Sequence, residues 1–218
     1  MLITRKLKMK KTLRNVGFVF LLLKMCLIFG QGKPNEKIIV IDPGHGGKDS
    51  GAIGINRIQE KDVVLNIAKE TLRLNENLDD PFDIYLTRYN DTLISLSDRT
   101  KLTRTLQADL FISLHCNHSY NPNARGIEIY VANKPSNHSD DSTWFAFQLQ
   151  DDLNKKLGFE SRGVKFGNFQ VLLETIGYCT SVLLELGFLS NGDESKYYEK
   201  QESIKALALV IWESLINN

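Results

Sequence analysis

The sequence predicts an α/β domain built as a three-layer sandwich, with a mainly parallel sheet of about six strands flanked by helices. Three observations carry that expectation. The apolar runs at 38–41, 110–114 and 182–184 do not alternate, which is the pattern of strands covered on both faces. Stretches with apolar residues at helical spacing lie between such runs. Strand and helix signals follow one another along the chain, with glycine, proline, asparagine and aspartate between them.

Residues 1–32 stand apart from that alternation. A basic stretch ends at Arg14, an apolar core runs from 16 to 30, and Gly30 and Gly32 offer small residues for cleavage near Lys33. They read as a secretion signal, although Lys24 interrupts the apolar core. An uncleaved single-pass anchor is the other reading, and the run is short for a full span. Either way the domain is expected to be exported, to the periplasm or cell envelope, with any membrane association confined to residues 1–32. Residues 33–37, KPNEK, form a polar linker, and 38–218 are left as one domain of ordinary size.

That domain opens on the β-branched run IIVI at 38–41. The run breaks at Asp42-Pro43-Gly44 and passes through His45 into a loop with Gly46, Gly47, Gly51 and Gly54. Pro43 cannot donate to a ladder, and the glycines permit close backbone approach or positive φ. A histidine is thereby set at the carboxyl end of a central strand, where open α/β sheets place their ligands. Glu60-Lys61-Asp62 leads into a helix expected to about Leu78, with Val64, Ile67, Ala68, Thr71 and Leu72 on one face. DIYLTR at 83–88 reads as a second strand with Ile84 and Leu86 inward. Ser97 or a neighbour can cap a helix to about Gln107, carrying Leu102 and Leu106 on one face.

LFISLH at 110–115 is a third, buried strand that again ends in histidine, followed by an Asn-rich loop at 116–125. GIEIYV at 126–131 alternates as a short strand, and 132–142 reads as a brief polar loop. The helix expected at 143–157 carries Phe145, Leu149, Leu153 and Leu157 at i+4 steps, and Gly158 ends it. NFQVLL at 168–173 is expected as the fifth strand and VLLELG at 182–187 as the sixth. A loop at 188–195 leads to a last helix of about 204–216, with Ile204, Leu207, Ala208, Ile211 and Leu215 toward the core.

Composition bounds the function. Hydrophobic residues make up 42% and charged residues 24%, as in soluble globular proteins. The formal charge of +1 misleads, because the first 30 residues hold seven Lys or Arg and no acid. Without them 20 basic face 26 acidic residues, a net of −6. An acidic domain binds nucleic acid poorly, so no nucleic-acid partner is expected. Cys116 and Cys179 are expected as buried free thiols, although export permits a disulfide. Cys116 follows His115 in a strand and so points to the opposite face, which excludes it as a companion ligand.

Three polar residues sit where apolar strands end or should continue: His45, His115 and Glu185. Strand ends at one edge of a parallel sheet converge, and Glu60 starts the helix after the His45 loop. Two histidines and one carboxylate are a common catalytic zinc set, with a further carboxylate as proton carrier. Each also has a plainer reading. His45 fits a loop histidine held by amides, His115 a satisfied core histidine, and Glu60 a charge favouring a helix N-terminus. Glu185 inside VLLELG is costly to bury without a partner or cation. His118 and His138 lie in polar loops and read as surface residues.

These residues meet a family. The chain resembles the zinc-dependent N-acetylmuramoyl-L-alanine amidases of the bacterial cell wall over nearly all of 38–218. The likeness rests on IVIDPGHGGKDSGAIG (39–54), Glu60 in EKD, LSDRT (96–100), ADLFISLHCN (108–117), GIEIYV and VLLELGFLSN (182–191). It implies one zinc held by His45, Glu60 and His115, with Glu185 as catalytic glutamate and peptidoglycan as substrate; it assigns no substrate-binding residue. Thr180, Cys116 and Leu173 depart from the residues usual at their places, and Leu173 replaces a frequent basic residue. Regulated relatives carry a long plugging insert after the GIEIYV-like strand, whereas only 132–142 stands there, so no activator is expected to be required. A peptidoglycan-binding protein that does not cut, and a zinc carboxypeptidase acting on stem peptides, are the alternatives.

Overall fold

The computed structural model describes residues 37–78 and 82–217; the expected signal at 1–32 lies outside the described residues. The non-alternating runs become the strands β1 (Ile38–Pro43), β3 (Leu110–Asn117) and β6 (Thr180–Phe188). With β2 (Asp83–Leu86), β4 (Ile127–Ala132) and β5 (Ser161–Gly167) they form one six-stranded sheet in the order β2-β1-β3-β6-β4-β5. Every pairing is parallel except β4 against β6. This is the expected three-layer α/β architecture.

Helices α1 (Glu60–Asn75), α3 (Ser139–Leu157) and α6 (Gln201–Ile216) cover one face. Val64, Ile67, Phe145, Leu149, Leu207 and Ile211 from these helices meet Ile39, Ile41, Ile112, Leu114 and Leu184 of the sheet in the main core. Helices α2 (Leu96–Thr105) and α4 (Gln170–Thr175) lie over the other face, where Val171 and Leu172 pack on Val40, Phe111 and Leu183. A short α5 (Gly192–Tyr197) begins within the expected loop at 188–195 and runs past it. Burying one such Leu or Phe stabilises the fold by about 1.5–3 kcal/mol, so the non-alternating strands have strong reason to take both covers.

Two assignments need correction. NFQVLL is not a strand: its last four residues open α4, with Val171, Leu172 and Thr175 buried at helical spacing. A short apolar run is ambiguous between helix and strand. The fifth strand is instead SRGVKFG, an outer strand mostly exposed or half-buried, whose two glycines and few apolar residues mask it. Helix α3 also begins at Ser139 rather than 143. Ser142 Oγ donates to His138 O (2.6 Å), and Asp140 and Asp141 suit the positive helix N-terminus. The capping neighbour in α2 is Ser95, which accepts from Asp98 N. Among the described residues no helix is long and apolar enough to cross a membrane.

Candidate metal centre

The face under α2 and α4 changes character along each strand. Toward the amino ends it is apolar, at Val40, Phe111 and Leu183. Toward the carboxyl ends the same side of the same strands carries Asp42, Ser113, His115 and Glu185, since residues two apart share a face. The centre is assembled there.

After Pro43 the chain turns away: Gly44 N donates to Leu114 O (3.0 Å), and His45 takes φ 58, uncommon for a residue with a Cβ. Two buried arginines hold that turn. Arg88 donates to Pro43 O (3.0 Å) and Gly44 O (2.8 Å), and Arg99 to Pro43 O and His45 O (both 2.8 Å). Three consecutive carbonyls are thereby fixed. Arg99 is ion-paired with Asp42, which is fully buried and also accepts from the Thr87 and Ser113 hydroxyls.

Glu60, 3% exposed at the start of α1, is the hub. Its Oε1 lies 3.0 Å from His45 Nε2 and 2.9 Å from His115 Nδ1, and accepts from Cys116 N at 2.9 Å. Its Oε2 accepts from Ala52 N at 2.7 Å. The His45 and His115 rings stand edge to face at 5.0 Å. Asp49 Oδ2 takes the other His45 nitrogen, Nδ1, at 2.8 Å, the carboxylate–histidine arrangement that orients metal ligands. Two glycines are needed for the approach. A Cβ on Gly44 would lie 2.3 Å from the His115 ring, and one on Gly51, at φ 62, 2.4 Å from Glu60 Oε2.

His45, Glu60 and His115 each offer one ligand atom within 4.8 Å of the others. A tetrahedral zinc with bonds of about 2.0–2.2 Å sets its ligand atoms about 3.3–3.6 Å apart, so two imidazoles and a carboxylate this close together are a donor set that suits such an ion. The electrostatics agree. Burial opposes charge on both partners, yet the shared hydrogen bonds win: Glu60 is held down at about 2 and His45 raised to about 9, with Asp49 adding to the latter. A site that draws a proton onto His45 is one that favours a cation.

Glu185 is the cross-strand partner of His115. Burial pushes its carboxyl up to about 7; the Glu60 and Glu128 carboxylates add to the rise, and His115 opposes it. Its Oε2 is buried without a hydrogen-bond partner. The centre borders a cleft of about 650 Å³ whose walls include His45, Asp49, His115, Leu93, Leu96 and Phe169.

His118 is exposed and His138 half-buried, and neither joins the centre. Cys116 and Cys179 are free and buried, as expected. Sequence reasoning missed Asp49, Arg88, Arg99, Asp42 and Glu194 as supports. The first had a signal, a carboxylate four residues after His45; the arginines had no partner nearby in sequence to mark them. Glu194 accepts from Gly126 N (2.8 Å) and Phe188 N (2.7 Å), tying the end of β6 to the start of β4.

A family model described as N-acetylmuramoyl-L-alanine amidase matches residues 39–217. The chain is 39% identical over 158 residues to the N-acetylmuramoyl-L-alanine amidase LytC of Bacillus subtilis, covering 72% of this chain and 30% of that one. It is 31% identical over 225 residues to a probable amidase, AmiB, of Haemophilus influenzae, covering 82% and 51%. The chain thus spans about a third to a half of these relatives. The crystal structure of N-acetylmuramoyl-L-alanine amidase from Clostridium difficile 630 superposes with a TM-score of 0.77 at 32% identity, over 84% of this chain and 97% of that one. The CwlD amidase from Clostridioides difficile, in complex with the GerS lipoprotein, gives 0.74 at 26%, over 83% and 97%.

Proposed function

The chain belongs to the N-acetylmuramoyl-L-alanine amidase family, and from that premise we propose that it hydrolyses the amide joining the lactyl group of N-acetylmuramic acid to L-alanine of the peptidoglycan stem peptide. One observation carries this reading: His45, Glu60 and His115 meet on one oxygen, with Glu185 beside His115 in register. Zinc bound by these three residues supplies a Lewis acid for the amide carbonyl and eases deprotonation of water near neutral pH. Glu185 takes a proton from the attacking water and delivers it to the alanine nitrogen as the C–N bond breaks. A carboxyl lifted to about 7 is suited to both halves of that transfer. Asp49 keeps Nδ1 of His45 engaged, so that Nε2 faces the centre.

Such a substrate would place the domain outside the cytoplasmic membrane, where the signal expected at residues 1–32 would send it. The connection between β4 and α3 is only residues 133–138 and contains no helix, which supports a site that works without an activator. The GerS complex belongs to CwlD, and the test therefore includes addition of a candidate partner.

Purified protein is applied to cell walls in a zymogram with and without chelator, and the new end groups are identified. Chelator-sensitive clearing with a free lactyl carboxylate and an alanine amine is the expected result. A released C-terminal amino acid would instead indicate a carboxypeptidase, and bound but intact walls a binding protein. Inertness until a partner is added would end the activator-free reading.

A further inference from the structure

Beyond Glu185, on the side away from the metal centre, β4 and β5 build a second charged site. Ile127 pairs with Ser161 and Ile129 with Val164, so one residue of β4, Glu128, faces two of β5, Arg162 and Gly163. Gly163 takes φ 84 in this bulge. In a regular strand Arg162 and Lys165, three apart, would point to opposite faces; the extra residue brings both to the face that carries Glu185. Arg162 Nε and Lys165 Nζ (2.8 Å) both donate to Glu128 Oε1, and Tyr130 OH donates to Oε2 (2.7 Å).

One buried carboxylate cannot neutralise two cations, so the cluster keeps positive charge. The side chains of Arg162 and Lys165 are 34% and 37% exposed, against 4% for Glu128. Rings steady both: Arg162 lies 5.0 Å over Phe188 and Lys165 5.9 Å over Tyr130. Glu160 also acts on Arg162, which leaves Lys165 the less compensated of the two. An ammonium has three donors, and Lys165 commits one of them to Glu128.

Glu128 is the cross-strand partner of Glu185, so the cluster stands about one strand spacing, roughly 5 Å, from the proton carrier. An extended peptide covers about 3.3–3.6 Å per residue. The residue after the scissile bond's alanine therefore comes within reach. We propose that Lys165 and Arg162 bind the branch carboxylate of the acidic residue that follows L-alanine in the stem peptide. The peptide then runs from Glu185 toward β5, and the glycan occupies the cleft beside Leu93 and Leu96. This rests on the amidase reading above.

The experiment compares two muramoyl tripeptides, one with that carboxylate free and one with it as the neutral amide. The full-length protein is assayed as wild type, Lys165→Gln, Lys165→Arg and Arg162→Gln, in low and high salt. The wild type is expected to favour the acid about tenfold or more in kcat/KM, through KM, because a charge-assisted contact is lost in the amide. Lys165→Gln should collapse that ratio toward one and Lys165→Arg should restore it; high salt should narrow it. A wild type that cuts both forms equally, or a Lys165→Gln protein that keeps the preference, would overturn the subsite and leave the amidase reading intact. A wild type that cuts neither would overturn both.

Discussion

Glu185 has a cost that can be measured. In the unfolded chain its carboxyl ionises near 4.5; in the fold, burial lifts it to about 7. Below about pH 4.5 both states are protonated and the group is neutral with respect to stability. Between about 4.5 and 7 the unfolded chain releases the proton first, so ionisation favours unfolding and stability falls as pH rises. Above about 7 the loss is complete. Raising the carboxyl from 4.5 to about 7, at 1.36 kcal/mol per tenfold change in proton affinity, gives about 3 kcal/mol. Glu185→Gln removes this pH-dependent loss. Its buried amide brings a penalty of its own, but one that does not change with pH. Urea unfolding of the wild type and Glu185→Gln, both stripped with chelator, at intervals from pH 4.5 to 8 isolates the effect. The variant should gain on the wild type by about 3 kcal/mol across that range, roughly 6–12 °C in Tm for a domain of this size. Zinc should narrow the difference, since a nearby dication favours the carboxylate. Parallel profiles for the two chelated proteins would show that the carboxyl ionises without cost and would refute the argument from burial.

In assays on cell walls, Glu185→Gln should keep about one zinc per chain yet lose 10²–10⁴-fold in turnover, about the range for a missing general base. His45→Ala should lose both, and metal analysis beside turnover separates the two outcomes. Gly51→Ala places a Cβ against Glu60 Oε2 at positive φ; a zinc competition titration should show at least about tenfold weaker binding in a protein that still folds. Arg99→Met strands the buried Asp42 carboxylate with only two hydroxyl partners and should cost about 3 kcal/mol in chemical denaturation.

What could be read from the chain depended on periodicity. The runs at 38–41, 110–114 and 182–184 have the β-branched or leucine-rich, non-alternating pattern that doubly covered strands satisfy, so the sheet's centre and the three polar residues at its edge were legible together. SRGVKFG has no such pattern, because an outer strand that is mostly open to solvent has little to bury. In GIEIYV the alternation was visible but its meaning was not. Glu128 and Tyr130 would ordinarily face water; here Glu128 is 3% exposed and takes two cations and a phenol. Arg88 and Arg99 escaped notice because the carbonyls they hold in the His45 turn, those of Pro43, Gly44 and His45, are 44 to 56 residues away in sequence. No local pattern encodes such a contact.

The buried carboxylates at the sheet's carboxyl edge make the final case for which residue moves the proton. Asp42 has Arg99 and two hydroxyls; Glu60 has two imidazoles and two backbone N–H groups. Glu128 has Arg162, Lys165 and Tyr130, and Glu194 has two backbone N–H groups. Each is held by its partners in one fixed geometry, which suits holding and not exchanging. Among the described residues Glu185 alone in this group has no hydrogen bond or ion pair, and its Oε2 is enclosed. A fold built only for stability would place an apolar side chain between Leu184 and Leu186, where its neighbours are fully buried. An unmatched carboxyl at that position, beside His115 and level with Glu128, can accept a proton without first breaking a partner's bond. Among these carboxylates, that arrangement supports the role proposed for Glu185, the one that changes its protonation state during the reaction.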